Sequence, residues 1–186
     1  MKKNILVPTI ALFIICLVAT TLLAFANSVT APIIEELAVK TEMESRKKVC
    51  TLATEFSDEA SNGISYAIGY DENGQQLGMI FTTTAKSYGG EILVMTGVDM
   101  DGKVTGIELL SINDTAGLGM NATKDDFRSQ FLGLVNGIKV MKNSSNHDNN
   151  EITALTGATI TSQAVADAVN AALADFETVT GKAGAN

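Results

Sequence analysis

The sequence predicts an α+β domain carried behind a single N-terminal transmembrane helix. Three observations predict it: an uncharged apolar run near the start, four consecutive short segments with turn signals between them, and small apolar residues at helical spacing near the end. Four strands in succession argue for an antiparallel sheet packed on one face against helices. The expected organisation is an anchor over residues 1–26, an amphipathic linker helix over 27–50, a folded domain over 51–180 and a flexible tail over 181–186.

The anchor rests on length and charge. Ile5 to Ala26 carries no charged residue, and as a helix it reaches roughly 33 Å, enough for a hydrocarbon core of about 30 Å. Pro8 falls in its first turns, where proline does least harm. Ala24-Phe25-Ala26 has the small-x-small form of a cleavage site, so a removed signal peptide is the alternative; the apolar run exceeds a signal core of roughly 7–15 residues. Cys16 follows the bulky Ile14 and Ile15, which argues against a lipoprotein site. Lys2 and Lys3 place the N-terminus in the cytoplasm and the domain outside the cell membrane.

The domain is acidic. With Lys2 and Lys3 set aside, 21 acidic residues face 11 basic ones, which makes nucleic acid and anionic lipid poor partners. Cys50 is the only cysteine beyond the anchor, so no intrachain disulfide staples the domain. One histidine and one external cysteine leave little with which to build a zinc or iron–sulfur site.

Taken in order, Pro32 is expected to open a helix from Ile33 to Lys48, with Ile33, Ile34, Leu37, Ala38, Thr41 and Met43 on one face. Ile64–Tyr70 reads as a strand ending at the turn signal Asn73-Gly74, and Gln75–Thr84 as its return. Tyr88-Gly89-Gly90 breaks the pattern. Glu91–Asp99 and Val104–Ile112 form a second pair across Met100–Lys103. Thr123 is expected to cap a helix whose first turn holds Asp125 and Asp126. Leu134–Met141 reads as a short strand and Asn143–Asn150 as an exposed loop containing His147. The last helix places Ala164, Val165, Ala168, Val169, Ala172 and Leu173 on one face, a stripe suited to close packing on a sheet.

Three pieces could carry chemistry. Leu155-Thr156-Gly157-Ala158-Thr159-Ile160-Thr161-Ser162 has four hydroxyls where the last helix begins. A helix entrance offers free N–H groups and a positive dipole end to a phosphate, Gly157 allows close approach, and Thr159 can bear a covalent bond. The plainer reading is an N-cap rich in Ser and Thr. Thr115-Ala116-Gly117-Leu118-Gly119 can lay backbone amides against a flat ring or be an ordinary turn. Ser87-Tyr88-Gly89-Gly90 can be a ligand contact or a simple bulge.

Together these pieces carry a resemblance. Tyr-Gly-Gly at 88–90, Val-Asp-x-x-Gly-Lys-Val-x-Gly-Ile at 98–107, Thr-x-Gly-Leu-Gly at 115–119 and Thr-Gly-Ala-Thr-x-Thr-Ser at 156–162, behind one anchor, resemble the FMN-binding domain family. Within it the chain is similar to the G subunits of Rnf ion-translocating electron-transport complexes, relatives of the C subunits of sodium-pumping NADH:quinone reductases. The likeness runs over nearly the whole chain.

That resemblance implies an FMN-binding domain over 51–180 and FMN joined by a phosphoester to Thr159, installed by a flavin transferase that takes FMN from FAD. It implies that Thr156, Thr161 and Ser162 support the phosphate, with Leu155, Gly157, Ala158 and Ile160 around it. Asp114, Thr115, Gly117, Leu118 and Gly119, with Tyr88, would shape the flavin site. The family often has an acidic residue where this chain has Thr153, and Glu-Thr-Pro where it has Asp114-Thr115-Ala116. No side chain stands out as a catalytic acid, base or nucleophile, so the flavin would do the redox chemistry.

The expected function is therefore that of a membrane-anchored flavoprotein subunit. It would relay electrons among the integral-membrane and redox subunits of an ion-translocating ferredoxin:NAD oxidoreductase. The alternatives are a stand-alone anchored carrier of covalent FMN and a binding module without a cofactor.

Overall fold

The computed structural model describes residues 3–143 and 145–181. The Met1-Lys2 start and positions 182–186 of the expected tail lie outside the described residues. The chain divides into two compact units, Met1–Glu42 and Met43–Asn186.

The first unit is helical. Helix α1 is assigned Lys3–Val49. In this unit it leaves Val7, Leu12, Phe13, Leu23 and Phe25 exposed and is long and apolar enough to cross a membrane. Helix α1 runs from the apolar stretch on through Lys48, as expected of a helix that continues the anchor outward; the helix start expected at Pro32 is corrected, because Pro32 lies inside α1. No glycine interrupts 27–31, and the Ser28 and Thr30 hydroxyls donate to the Phe25 and Ala26 carbonyls at 2.8 and 2.9 Å. Such back-bonding is compatible with a helix, and proline removes one ladder bond without ending it here.

The second unit is built on one antiparallel sheet. Strands β1 (Glu55–Ser61), β2 (Ile64–Tyr70), β3 (Gln76–Ser87), β4 (Gly90–Asp99) and β5 (Val104–Ser111) lie side by side in chain order. β2 to β5 stand within a few residues of their expected limits. β1 was not predicted. Its sequence, Glu-Phe-Ser-Asp-Glu-Ala-Ser, is mostly polar and mostly exposed, as suits an edge strand that must resist further pairing. The missed signal is Asn62-Gly63: Ser61 pairs with Ile64, and φ of +54° and +80° at the two residues between them is the two-residue turn that asparagine and glycine favour. The expected Asn73-Gly74 turn is wider and is organised by Asp71, whose carboxylate accepts from the Asn73 and Gln75 amides at 2.9 and 2.7 Å.

Side-chain alternation gives the sheet two buried faces. On one, Ile68, Phe81, Val94 and Val98 pack with Val165, Val169, Ala172, Leu173 and Phe176 of the last helix, α3 (Thr159–Thr180). All six residues of the expected apolar stripe are buried. Each large side chain so covered contributes about 1.5–3 kcal/mol. On the other face Ala67, Ile80 and Met95 meet Val49, Cys50 and Ala53, where α1 ends. Gly97 and Gly106 face each other across β4 and β5 and make the dent for that stub. A Cβ on Gly97 would stand 2.3 Å from the Val49 carbonyl oxygen, and one on Gly106 would stand 2.9 Å from Val49 Cα. Thr105 Oγ1 donates to the same Val49 carbonyl at 2.6 Å.

Between β5 and α3 the chain makes short elements. A 3₁₀ turn at Gly119–Thr123 leads to α2 (Asp125–Arg128), with another 3₁₀ turn at Ser129–Phe131. The expected Thr123 cap is corrected: Lys124 holds the cap position, and the Thr123 hydroxyl donates to the Met120 carbonyl at 2.8 Å. The expected strand over Leu134–Met141 shrinks to β6 (Lys139–Met141), parallel to β7 (Glu151–Thr153), because Gly137 takes φ +90° ahead of it. Asn170 of α3 holds that bend, accepting from the Gly137 and Ile138 amides at 3.0 and 2.9 Å. His147 is exposed, with Nε2 2.9 Å from the Leu132 carbonyl oxygen.

Candidate functional site

Three segments far apart in the chain meet at the entrance of α3. Two of them are the same kind of turn. Leu118 N–H donates to the Thr115 carbonyl at 3.1 Å, and Ala158 N–H donates to the Leu155 carbonyl at 2.9 Å. The third residue of each turn is glycine, Gly117 at φ +79° and Gly157 at +76°, the conformation a type II turn demands there. The turns also touch, for a Cβ on Gly157 would lie 3.2 Å from Leu118 Cδ2. The third segment is the tight β3–β4 hairpin, in which Ser87 pairs with Gly90 and Tyr88 and Gly89 make the turn.

Asp114 joins these segments. It is 7 % exposed, and its carboxylate accepts from Ser87 Oγ at 2.5 Å, Gly89 N–H at 2.6 Å and Thr161 Oγ1 at 2.5 Å. Burial pushes its pKa up, but the Ser87 and Thr161 hydroxyls and the Gly89 amide outweigh that and hold it below the ordinary carboxylate value. Gly119 packs directly against it, since a Cβ there would fall 2.5 Å from Asp114 Cβ.

The space enclosed is a cavity of about 490 Å³, lined by Tyr88, Asp114, Thr115, Leu118, Gly119 and the run Gly157–Thr161. Pockets for small organic ligands span roughly 300–1,000 Å³. Tyr88, Leu118 and Ile160 leave apolar surface exposed at its edge, suited to a flat ring. The other end is the α3 N-terminus, whose first N–H groups have no partner within the helix and attract an anion.

The four hydroxyls of the opening motif separate clearly here. None is the cap, because the cap position belongs to Ala158 and carries no side-chain bond. Thr159 is the first residue of α3 and is exposed on the cavity. Thr161 is buried and donates to Asp114. Ser162 is fully buried; its hydroxyl donates to the Ala158 carbonyl at 3.0 Å and accepts from Leu155 N–H at 2.9 Å. Ser162 stands off the cavity lining, and its hydroxyl secures the turn that immediately precedes Thr159. Thr156 is exposed but stands off the lining, as do Leu155 and Gly117.

Of the expected Ser87-Tyr88-Gly89-Gly90 piece, Tyr88 lines the cavity, while Ser87 and Gly89 reach the site through their hydrogen bonds to Asp114. The lining contains no lysine, arginine, histidine or cysteine, and among the described residues no three or more His, Cys, Asp or Glu are grouped to hold a metal ion. A cavity with a ring-sized apolar edge, an anion-attracting end and an exposed threonine, Thr159, at that end suits a phosphorylated cofactor.

The fold and site thus define a cofactor-holding domain. The FMN-binding domain family matches residues 87–174, which include all three segments. The G subunit of the Na(+)-translocating ferredoxin:NAD(+) oxidoreductase complex of Acetobacterium woodii is 35 % identical, over 89 % of this chain and 88 % of that one. The G subunit of the proton-translocating ferredoxin:NAD(+) oxidoreductase complex of Clostridium ljungdahlii is 32 % identical over 97 % and 96 %. The chain belongs to this family of G subunits, with an FMN-binding domain. In fold it is similar to the C subunit of the Na(+)-translocating NADH-quinone reductase of Parabacteroides distasonis, with a TM-score of 0.54 and 21 % identity over 64 % of each chain. The NqrC protein of Shewanella oneidensis gives a TM-score of 0.55 at 16 % identity, over 71 % of this chain and 73 % of that one.

Proposed function

We propose that this chain is the membrane-anchored flavoprotein subunit of an ion-translocating ferredoxin:NAD oxidoreductase complex, relaying electrons through FMN held covalently on Thr159. The observation that carries the linkage is the division of labour among the hydroxyls. Thr161 and Ser162 are engaged in internal hydrogen bonds, Thr156 lies off the cavity, and Thr159 alone of the four is both exposed and on its wall.

A flavin transferase would supply the group from FAD. The Thr159 Oγ–P bond forms as the phosphoanhydride P–O bond breaks; AMP leaves and the hydroxyl proton passes to solvent or to the transferase. Bound there, FMN supplies the one- and two-electron chemistry, while the chain binds and orients it. The helix N-terminus would hold the phosphate, and Leu118, Tyr88 and Ile160 would offer apolar surface to the ring. A covalent bond retains the cofactor outside the cytoplasm, which is where the apolar helix and its basic start would leave this domain. The other integral-membrane and redox subunits of the complex are the expected partners.

The test is coexpression with a flavin transferase and ultraviolet illumination of a denaturing gel. The wild-type band should fluoresce and a Thr159→Val band should stay dark. A dark wild type or a bright variant would remove the linkage. Copurification of the full chain with other membrane redox subunits separates the complex subunit from a stand-alone carrier.

A further inference from the structure

We propose that Asp114 is the positioning residue of this site: its carboxylate ties the β3–β4 turn and the first turn of α3 to its own loop, so that the cavity is built before a cofactor enters. The inference rests on the reading of the cavity as the flavin site and adds a role for a residue that need not react with the flavin.

The geometry is that of a saturated node. Ser87 and Thr161, which lie 27 and 47 residues from Asp114, both donate to Oδ2, and the Gly89 amide donates to Oδ1. Bonds from hydroxyls to an ionised carboxylate at this length are among the stronger hydrogen bonds in proteins. The groups facing the carboxylate are two hydroxyls and one amide, and among the described residues no charged side chain pairs with it. Its charge is therefore held by donors from the β3–β4 turn and from α3, and all three bonds are made together only when both segments stand against the Asp114 loop.

Packing points the same way. A Cβ on Gly89 would stand 2.2 Å from the Asn113 carbonyl oxygen and 2.8 Å from Asp114 Oδ1, and one on Gly119 would stand 2.6 Å from Thr161 Oγ1. Glycine on two sides lets the walls close to hydrogen-bonding distance around one carboxylate. Thr161 shares the first turn of α3 with Thr159, so the bond to Asp114 sets the rotation of the helix entrance that presents the acceptor hydroxyl.

The test uses the full chain in detergent, purified flavin transferase and FAD. Ser87→Ala should slow the initial rate of FMN attachment roughly 3- to 10-fold, the scale of one lost hydrogen bond, and Asp114→Ala, which removes all three bonds, by at least as much. Combined with Asp114→Ala, the Ser87→Ala change should add less than about twofold, because both act through one carboxylate. A rate for Asp114→Ala within twofold of wild type, or effects that simply multiply, overturns the proposal. The attached flavin of Asp114→Ala should also show altered visible circular dichroism, which a change confined to global stability would leave as in wild type. If Asp114→Ala does not fold, Asp114→Asn keeps one acceptor oxygen and should give an intermediate rate; a wild-type rate overturns the role. A separate arm needs no flavin. In unloaded protein the Gly89 amide should exchange hydrogen at least about tenfold faster in a folded Asp114 variant lacking its acceptors than in wild type, and unchanged exchange refutes the node. A wild type that exchanges slowly yet takes no flavin would overturn the flavin reading while supporting Asp114 as a tie between the segments.

Discussion

Thr161 Oγ1 donates a 2.5 Å hydrogen bond to Asp114 Oδ2, and through it the first turn of α3 is held against the loop that follows β5. The bond requires a charged acceptor to be at full strength, which makes it sensitive to acid. The Asp114 carboxyl has a folded pKa below its ordinary value, because the donated bonds outweigh the opposing effect of burial. A depressed carboxyl contributes stability that is present above the unfolded pKa of about 3.9 and is lost as pH falls through the folded pKa. Wild type should therefore lose melting temperature more steeply than Asp114→Asn as pH is lowered from about 4.5 to about 2.5, the range that takes the carboxyl from above its unfolded pKa down through its depressed folded one. Parallel curves by circular dichroism would show that the carboxylate is not held in this way.

The two glycines that follow Asp114 in its loop should respond differently to alanine. Gly119→Ala places a methyl 2.5 Å from Asp114 Cβ and 2.6 Å from Thr161 Oγ1, and overpacking of this kind costs about 1–3 kcal/mol. It should also reduce flavin attachment. Gly117→Ala meets open space but keeps φ at +79°, which costs about 1–2 kcal/mol in strain alone. Urea midpoints measure both costs, and attachment assays should find Gly119→Ala the more damaging to the site.

Thr159→Val and Ser162→Ala should show opposite signatures. Thr159 is exposed, so its replacement should change stability by less than about 0.5 kcal/mol while abolishing covalent flavin. Ser162→Ala deletes a buried hydroxyl with two partners, which should cost about 1–3 kcal/mol while leaving the flavin attached. Denaturant titration paired with in-gel fluorescence separates the two residues.

The stub of α1 offers a fourth test away from the site. Gly97→Ala would press a methyl to 2.3 Å from the Val49 carbonyl oxygen and 2.6 Å from Thr105 Oγ1. It should destabilise the domain by about 1–3 kcal/mol. Faster proteolysis near Cys50 and Ala53, measured by mass spectrometry, should accompany the loss, since those residues pack in the same small cluster. A variant as stable and as resistant as wild type would contradict that packing.

The elements that were legible share a cause. The α3 stripe from Ala164 to Leu173 and the strands from β2 to β5 advertise themselves by period, which is a property of neighbouring residues. The Gly117 loop was legible too, because a turn is decided within a few residues, whereas the matching turn at Gly157 was hidden in a stretch that read only as a helix entrance. β1 was not, since an edge strand of mostly exposed polar residues has no alternation to read and owes its form to pairing with β2. Thr123 failed as a cap because the preceding turn took its hydroxyl, and Pro32 failed as a helix start because α1 continued through it.

The sequence by itself determined the materials: an apolar helix at the start, a glycine loop at 115–119, an acidic domain, and four hydroxyls where the last helix begins. Only the tertiary structure decided which hydroxyl is available. Thr161 is occupied by Asp114, 47 residues away in the chain, and Ser162 is sealed beneath the turn at Leu155–Ala158. Turn and helix preferences are settled by a few adjacent residues, whereas a hydroxyl's accessibility depends on which distant atoms return to meet it. Those returns left Thr159 facing the cavity.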